Sequence, residues 1–228
     1  MDVSYFISLF KALLSGLPLT LNLAFFALLG GFVIGLLLNL ARTTRIGNAV
    51  AGFYVYIFRG TPLLVQLFMI YFGLAQFEFI RSSFLWPLLR EPYWCGLIAL
   101  MLNDAAYTSE ILRGGLRAVP KGTQEAARVS GMSDLQVLRR VTLPIAVRQA
   151  LPAYSNEIIS MLKSTALVSM ISLMDVTGIA REAVAETWHA VEIFICAGLI
   201  YLAMSLIITR ATSRVERALS PWQFGARQ

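Results

Sequence analysis

The chain has 228 residues and a formal net charge of +6, with 57% of its residues hydrophobic and only 14% charged. Soluble domains carry roughly 25% charged residues, so this composition excludes an ordinary soluble domain and points to lipid. Both cysteines, Cys95 and Cys196, fall inside apolar runs, which excludes a disulfide framework. The basic residues lie between the apolar runs, as membrane orientation requires, so no nucleic-acid partner is expected.

From Ala12 to Ala41 thirty residues pass without a charged side chain, and about 20 apolar residues cross the hydrocarbon core. A first span is predicted at about 17–40. It is too long for the apolar part of a cleavable signal and has no basic segment before it, so it is expected to remain as a span. A second span is predicted at about 55–77, after an amphipathic lead-in from Ile46. There Gly60 and Pro62 break the lead-in and turn the chain into the membrane, with Arg59 left at headgroup level. The third, at about 93–112, is interrupted by Asp104 and Glu110, and the fourth, at about 145–170, by Glu157 and Lys163. A fifth is predicted at about 191–209. The segment 172–190 carries Asp175, Arg181, Glu182 and Glu186 and reads as a short helix outside or re-entering the bilayer. The expected fold class is all-α integral membrane, a single domain over 1–228 with five transmembrane helices.

Charge then predicts orientation. Thirteen basic residues fall on one side: Arg42 and Arg45, seven between Arg113 and Arg148, and four in the tail from Arg210 to Arg227. Four fall on the other: Lys11, Arg81, Arg90 and Arg181. The positive-inside rule puts the thirteen in the cytoplasm, so the N-terminus is expected outside and the C-terminus inside.

The segment 114–144 is about thirty polar residues long, where a mere connection needs only a few. One short helix is predicted from Gly122 or Thr123 through Glu125, Ala126, Ala127 and Arg128, stopped by Ser130-Gly131. A second begins at Ser133, with Gln136 in capping-box position, sets Leu135, Leu138 and Val141 on one stripe and ends at Leu143-Pro144. On physics alone this hairpin is either a knob for a partner's groove or an amphipathic pair lying on the membrane surface.

Glu125-Ala126-Ala127, then Gly131, then a helix ending at Pro144 resembles the EAA loop of ABC importer permeases, with Val141 where isoleucine is common. The resemblance implies the type I ABC importer permease fold, and that this cytoplasmic loop forms the coupling helices that dock on a separate ATPase. Phe58-Arg59-Gly60-Thr61-Pro62-Leu63 resembles the polar amino acid uptake branch. Leu151-Pro152-Ala153-Tyr154-Ser155-Asn156-Glu157, with Met161 to Leu167, resembles the M-type subunit of histidine, lysine-arginine-ornithine and opine systems. What this implies is import of an amino acid by alternating access. The implied partners are a second permease subunit (Q-type or a copy of itself), two ABC ATPase subunits and a periplasmic substrate-binding protein, in the bacterial inner membrane. No cofactor is expected on this chain: it has no phosphate-cradling glycine loop, so ATP and Mg are expected on the partner ATPase.

Ionisable groups at mid-bilayer cost roughly 2.5–3.5 kcal/mol or more and are by default functional or paired. Asn103, Asp104, Tyr107 and Glu110 share about one face of the third span. Glu157, Lys163, Ser164 and Thr165 lie on the fourth. Their carboxylates suit a basic substrate group, and backbone unwound near Lys163-Ser164-Thr165 suits its carboxylate. The same residues can instead pair across helices, Glu157 with an arginine of the loop, and Glu110 is expected to pair with Arg113. In related permeases the position after the lysine is often acidic; Ser164 here leaves room for the partner permease to hold the ligand. His189, alone, reads as an external loop residue and no metal site is expected. Gly31 and Gly35 have the small-xxx-small spacing of close helix packing. An ion-coupled secondary transporter, a permease for glutamine, glutamate or cystine, and a membrane scaffold are the alternatives.

Overall fold

The computed structural model describes residues 3–219, so Arg227 of the predicted basic tail lies outside the described residues. Among the described residues every regular element is helical. The first element, α1 (Val3–Ser15), is one the apolar runs did not separate. It turns at Gly16 into α2 (Leu17–Ala41), the first predicted span. Gly16 is required there because a Cβ would lie 2.6 Å from the backbone of Asp175 and Val176. Residues Phe6–Ala41 and the last helix, α12 (Ala190–Leu219), are each long and apolar enough to cross a membrane.

The second predicted span is not one helix, and its start at 55 is corrected. Helix α3 (Arg45–Gly60) begins ten residues earlier, capped by the Thr44 side chain, which accepts from the Gly47 N–H at 3.0 Å. Thr61 and Pro62 are both extended, and the chain resumes as α4 (Leu63–Phe68). The proline disfavours helical backbone at the residue before it, so α3 must end there. The helices on the two sides of the break are bent by 103°. Fourteen residues at 1.5 Å each carry Arg59 roughly 20 Å from Arg45. Phe58, next to Arg59, meets Asn103 in the middle of the next long helix. The amphipathic lead-in is a helix in its own right, continuous from Arg45 to Gly60.

After α4 the chain widens into a π turn (Met69–Gly73) and then tightens to a 3-10 turn (Leu74–Gln76). Two single-turn helices follow, α5 (Glu78–Arg81) and α6 (Trp86–Leu89). Then α7 (Pro92–Arg117) runs through the centre, packed against α2, α3, α4 and α10 (Leu143–Ser164). Its contact with α2 depends on the glycines the spacing singled out. A Cβ on Gly31 would lie 2.2 Å from Asp104 Oδ2, and one on Gly35 would lie 3.0 Å from Thr108 Cγ2. On the other side, a Cβ on Gly115 would lie 2.6 Å from the Ala146 carbonyl oxygen of α10. At one end of this seam Asn39 donates to the Ser109 carbonyl at 2.8 Å, and Arg42 binds Glu110 at 2.8 Å. Glu110 also pairs with Arg113, as expected from their spacing.

The loop between α7 and α10 contains α8 (Lys121–Val129) and α9 (Asp134–Val137). Gly131 has φ +83° and the Ser133–Gln136 capping box is formed in both directions. The predicted apolar stripe is corrected: Val137 is the buried residue, whereas Leu135 is 72% exposed. The predicted end at Leu143-Pro144 is also corrected. A π turn (Leu138–Thr142) joins α9 to α10, and Pro144 sits in the first turn of α10, where a missing N–H costs nothing.

Helix α10 passes into a 3-10 turn (Thr165–Ile171) that ends at Ser172 in the left-handed region. The polar segment beyond it is the expected short helix, α11 (Val176–Thr187), bent by 46° from the helix before it. The side chain of Asp175, fully buried, caps α11 by accepting from the Gly178 N–H at 2.8 Å and accepts from the Tyr201 hydroxyl at 3.0 Å.

Gly35→Leu is expected to force α2 from α7 at a cost of about 1–3 kcal/mol, the usual range for overpacking. A thermal unfolding scan in detergent should show the lowered midpoint, while Gly52→Leu, at a position open for a Cβ, should not.

Candidate functional site

The break between α3 and α4 faces α7 and α10 across a polar cavity of about 420 Å³. One wall is Arg59, Gly60, Thr61, Pro62 and Leu63; the other is Asn103 and Tyr107 of α7 with Glu157, Ser160 and Ser164 of α10. A broken helix inside a membrane protein must satisfy its freed carbonyls locally. Gln66 and Asn103, both buried, do this. Gln66 Nε2 donates to the Phe58 carbonyl at 2.9 Å and to Thr61 Oγ1 at 2.8 Å. Asn103 Nδ2 donates to Gln66 Oε1 at 3.0 Å and to the Phe58 carbonyl at 3.2 Å. The side-chain bridge thus ties the break to α7.

Of the seven residues expected to line a substrate path, Asn103, Tyr107, Glu157 and Ser164 are brought together here. Asp104 is not on the cavity surface. It is fully buried behind it, where its Oδ2 accepts from Thr108 Oγ1 at 3.1 Å. Its Oδ1 has no hydrogen-bond partner among the described residues. Among the described residues Glu157 makes no ion pair with an arginine of the 114–144 loop. Thr165 is fully buried and donates to the Leu162 carbonyl at 2.7 Å, so it turns away from the cavity. The backbone at Lys163-Ser164-Thr165 stays helical and then tightens to a 3-10 turn. The unwound backbone of the cavity belongs to Thr61-Pro62 instead. Lys163 is exposed and shares a stripe of α10 with Asn156 and Ser160, which are exposed as well.

Sequence reading left out Arg59. Its guanidinium lies 5.0 Å above the centroid of the Tyr107 ring, a cation–π contact. Arg59 and Tyr107 also line a second cavity of about 310 Å³ that extends along α7 to Glu110 and Gly114. The two cavities share that stacked pair. The available signal was Pro62: a proline three residues on ends a helix near Arg59 and exposes it.

Away from the cavity, Glu125 and Ala126 of α8 are exposed and Ala127 is buried, while Val129 is 90% exposed. Arg128 Nε donates to Asp134 Oδ1 at 3.0 Å, tying α8 to α9 around Gly131. Pro144 is half-buried in the first turn of α10. Among the described residues no three His, Cys, Asp or Glu side chains come together as a metal site.

Among the described residues, apolar helices packed around the polar face of α7 enclose a polar cavity, an architecture that suits a membrane permease. Residues 31–221 match the model of the binding-protein-dependent transport system inner membrane component, and the chain belongs to that family. It is 50% identical over 222 residues to an octopine transport system permease protein of Rhizobium radiobacter, covering 96% of this chain and 91% of the relative. It is 48% identical over 224 residues to a nopaline transport system permease protein of Agrobacterium fabrum, covering 97% and 93%. Among solved structures, an amino acid ABC transporter crystallised with histidines matches with a TM-score of 0.84 at 36% identity, over 96% of this chain and 99% of that one. The chain is thus an ABC importer permease with the type I permease fold, a transport subunit whose ATPase is a separate chain. Membership of the family implies ATPase and binding-protein partners and an inner-membrane location.

Gln66→Leu should leave the Thr61 oxygens without the Gln66 donor and the Phe58 carbonyl with Asn103 alone, and cost about 1–3 kcal/mol. Thermal unfolding of the detergent-solubilised protein, compared with Gln76→Leu at an exposed position of the 3-10 turn, checks this.

Proposed function

We propose that the chain is one half of the pathway of an importer for basic amino acids or for opines such as octopine. Substrate passes from a periplasmic binding protein to the cytoplasm through the cavity at the α3–α4 break. The observation that carries the reading is the polar stripe of α10. Asn156, Glu157, Ser160, Lys163 and Ser164 follow helical spacing on one side of an otherwise apolar bundle, next to the exposed Arg59. Such a stripe is costly against lipid, so it faces water or a second permease. Glu157 suits a guanidinium or ammonium group, and the permeases for octopine and nopaline that this chain resembles support that class.

In this reading the chain crosses the membrane five times, through α1–α2, the bent pair α3–α4, α7, α10 and α12. Helix α7 lies at the centre, packed against α2, α3, α4 and α10. The basic end, with Arg42, Arg113 and the 114–144 loop, is cytoplasmic; the N-terminus is periplasmic and the C-terminus cytoplasmic. A second permease, Q-type or another copy of this chain, completes the pathway. Two ATPase subunits, which hold ATP and Mg, receive α8, where Glu125, Ala126, Ala127 and the glycine turn at Gly131 form the docking knob. The exposure of Val129 and Leu135 beside them supports a surface meant to be covered. Closure of the ATPases then drives α9 and, through Pro144, α10, so that the cavity opens alternately to each side.

Glu125→Lys is expected to abolish uptake in reconstituted vesicles and to release the ATPase subunits on co-purification, with membrane insertion unchanged. Retention of the ATPase at wild-type stoichiometry would sink the docking assignment. Ser164→Trp should fill the cavity and stop uptake while the four-subunit complex still assembles and hydrolyses ATP.

A further inference from the structure

The arginines held between helices differ in one respect. Arg42 and Arg113 bind Glu110, and Arg181 donates to the Ser169 carbonyl at 2.5 Å. Arg59 makes no hydrogen bond and no ion pair among the described residues; it stacks on the face of the Tyr107 ring and shares the cavity with Glu157. Five N–H donors thus stand free in a polar cavity beside the middle of α7. A guanidinium at that depth needs an acceptor, and its planar fork matches a carboxylate in two parallel hydrogen bonds. Tyr107 holds the plane from one side without using a single donor, which leaves the fork's edge to the cavity.

We propose that Arg59 is the residue that recognises the carboxylate of the substrate, seated by the Tyr107 ring, while Glu157 across the same cavity takes the basic end. The assignment rests on the reading of this cavity as the substrate path. It divides the labour between the two walls. The α3–α4 break brings the cation and α10 brings the anion, so a molecule carrying both a carboxylate and a guanidinium spans the cavity end to end. The free fork also accounts for a second carboxylate on the same substrate end, as an opine has.

The test is direct binding to the purified permease–ATPase complex without its binding protein, using L-arginine, octopine and agmatine, which is arginine lacking the carboxylate. The wild-type complex should prefer L-arginine to agmatine by about tenfold or more, the size of one charge-assisted interaction. Arg59→Ala should erase that preference by weakening L-arginine and leaving agmatine unchanged. Tyr107→Phe, which keeps the ring, should preserve the preference, and Tyr107→Leu should reduce it even where the Arg59→Ala complex fails to assemble. A preference that survives Arg59→Ala, or Tyr107→Leu if that complex is lost, overturns the assignment. If Arg59→Ala only separates the permease pair, the guanidinium serves the subunit contact and the assignment is wrong. If neither L-arginine nor octopine binds the wild-type complex, the substrate reading itself fails; if Glu157→Gln weakens all three ligands while Arg59→Ala weakens none, that reading stands and only the role of Arg59 falls.

Discussion

The close approach of α2 to α7 decides where the polar atoms of this chain can go. Gly31 and Gly35 leave no side chain in the seam, so Asp104, Thr108 and Ser109 are buried against backbone and not against lipid. In hydrocarbon each unpaired polar group costs several kcal/mol. A central helix with Asn103, Asp104, Glu110 and Arg113 is therefore stable only if its neighbours provide the partners. Helix α2 provides Asn39 and Arg42, and α3 and α4 provide the Phe58 carbonyl and Gln66.

The cavity follows from the same constraint. A helix can be interrupted at depth only where its loose carbonyls find donors, and Gln66 with Asn103 supply them. The break then places Arg59 and Thr61 opposite Glu157 and Ser164. Moving the break by even a few residues would remove Gln66 from reach and expose bare carbonyls. The position of the cavity is therefore set by a fold requirement, and the chemistry of its lining is the part free to vary between permeases.

Much of this was legible in the chain. The thirty uncharged residues to Ala41, the glycine spacing at 31 and 35, the turn at Gly131 and the capping box at Ser133 each rest on local rules, and each appears as expected. The Glu110–Arg113 pair was legible from its spacing of three. What could not be read depends on distant contacts. Residues 45–54 carry too few apolar side chains to join the apolar run that follows, so the helix that starts at Arg45 was not marked. Asp104 and Thr165 share a sequence neighbourhood with cavity residues, yet a rotation of about 100° per residue turns them into the protein. The continuity of α9 into α10 was hidden because proline usually ends a helix, and only the π turn before it reconciles the two.

That π turn gives α10 a mechanical property. The rod from Leu143 to Ser160 has no gap, and Pro152 inside it is absorbed without ending the helix. Seventeen residues at 1.5 Å make a lever of roughly 25 Å, pivoting where Gly115 lets α7 touch Ala146 backbone to backbone. Because that fulcrum lies near the loop end, the long arm is the one that carries Glu157 and Ser160. A tilt of about 10° at the short end, no more than a small adjustment of packed helices, sweeps the cavity wall through roughly 4 Å, comparable to the width of a guanidinium group.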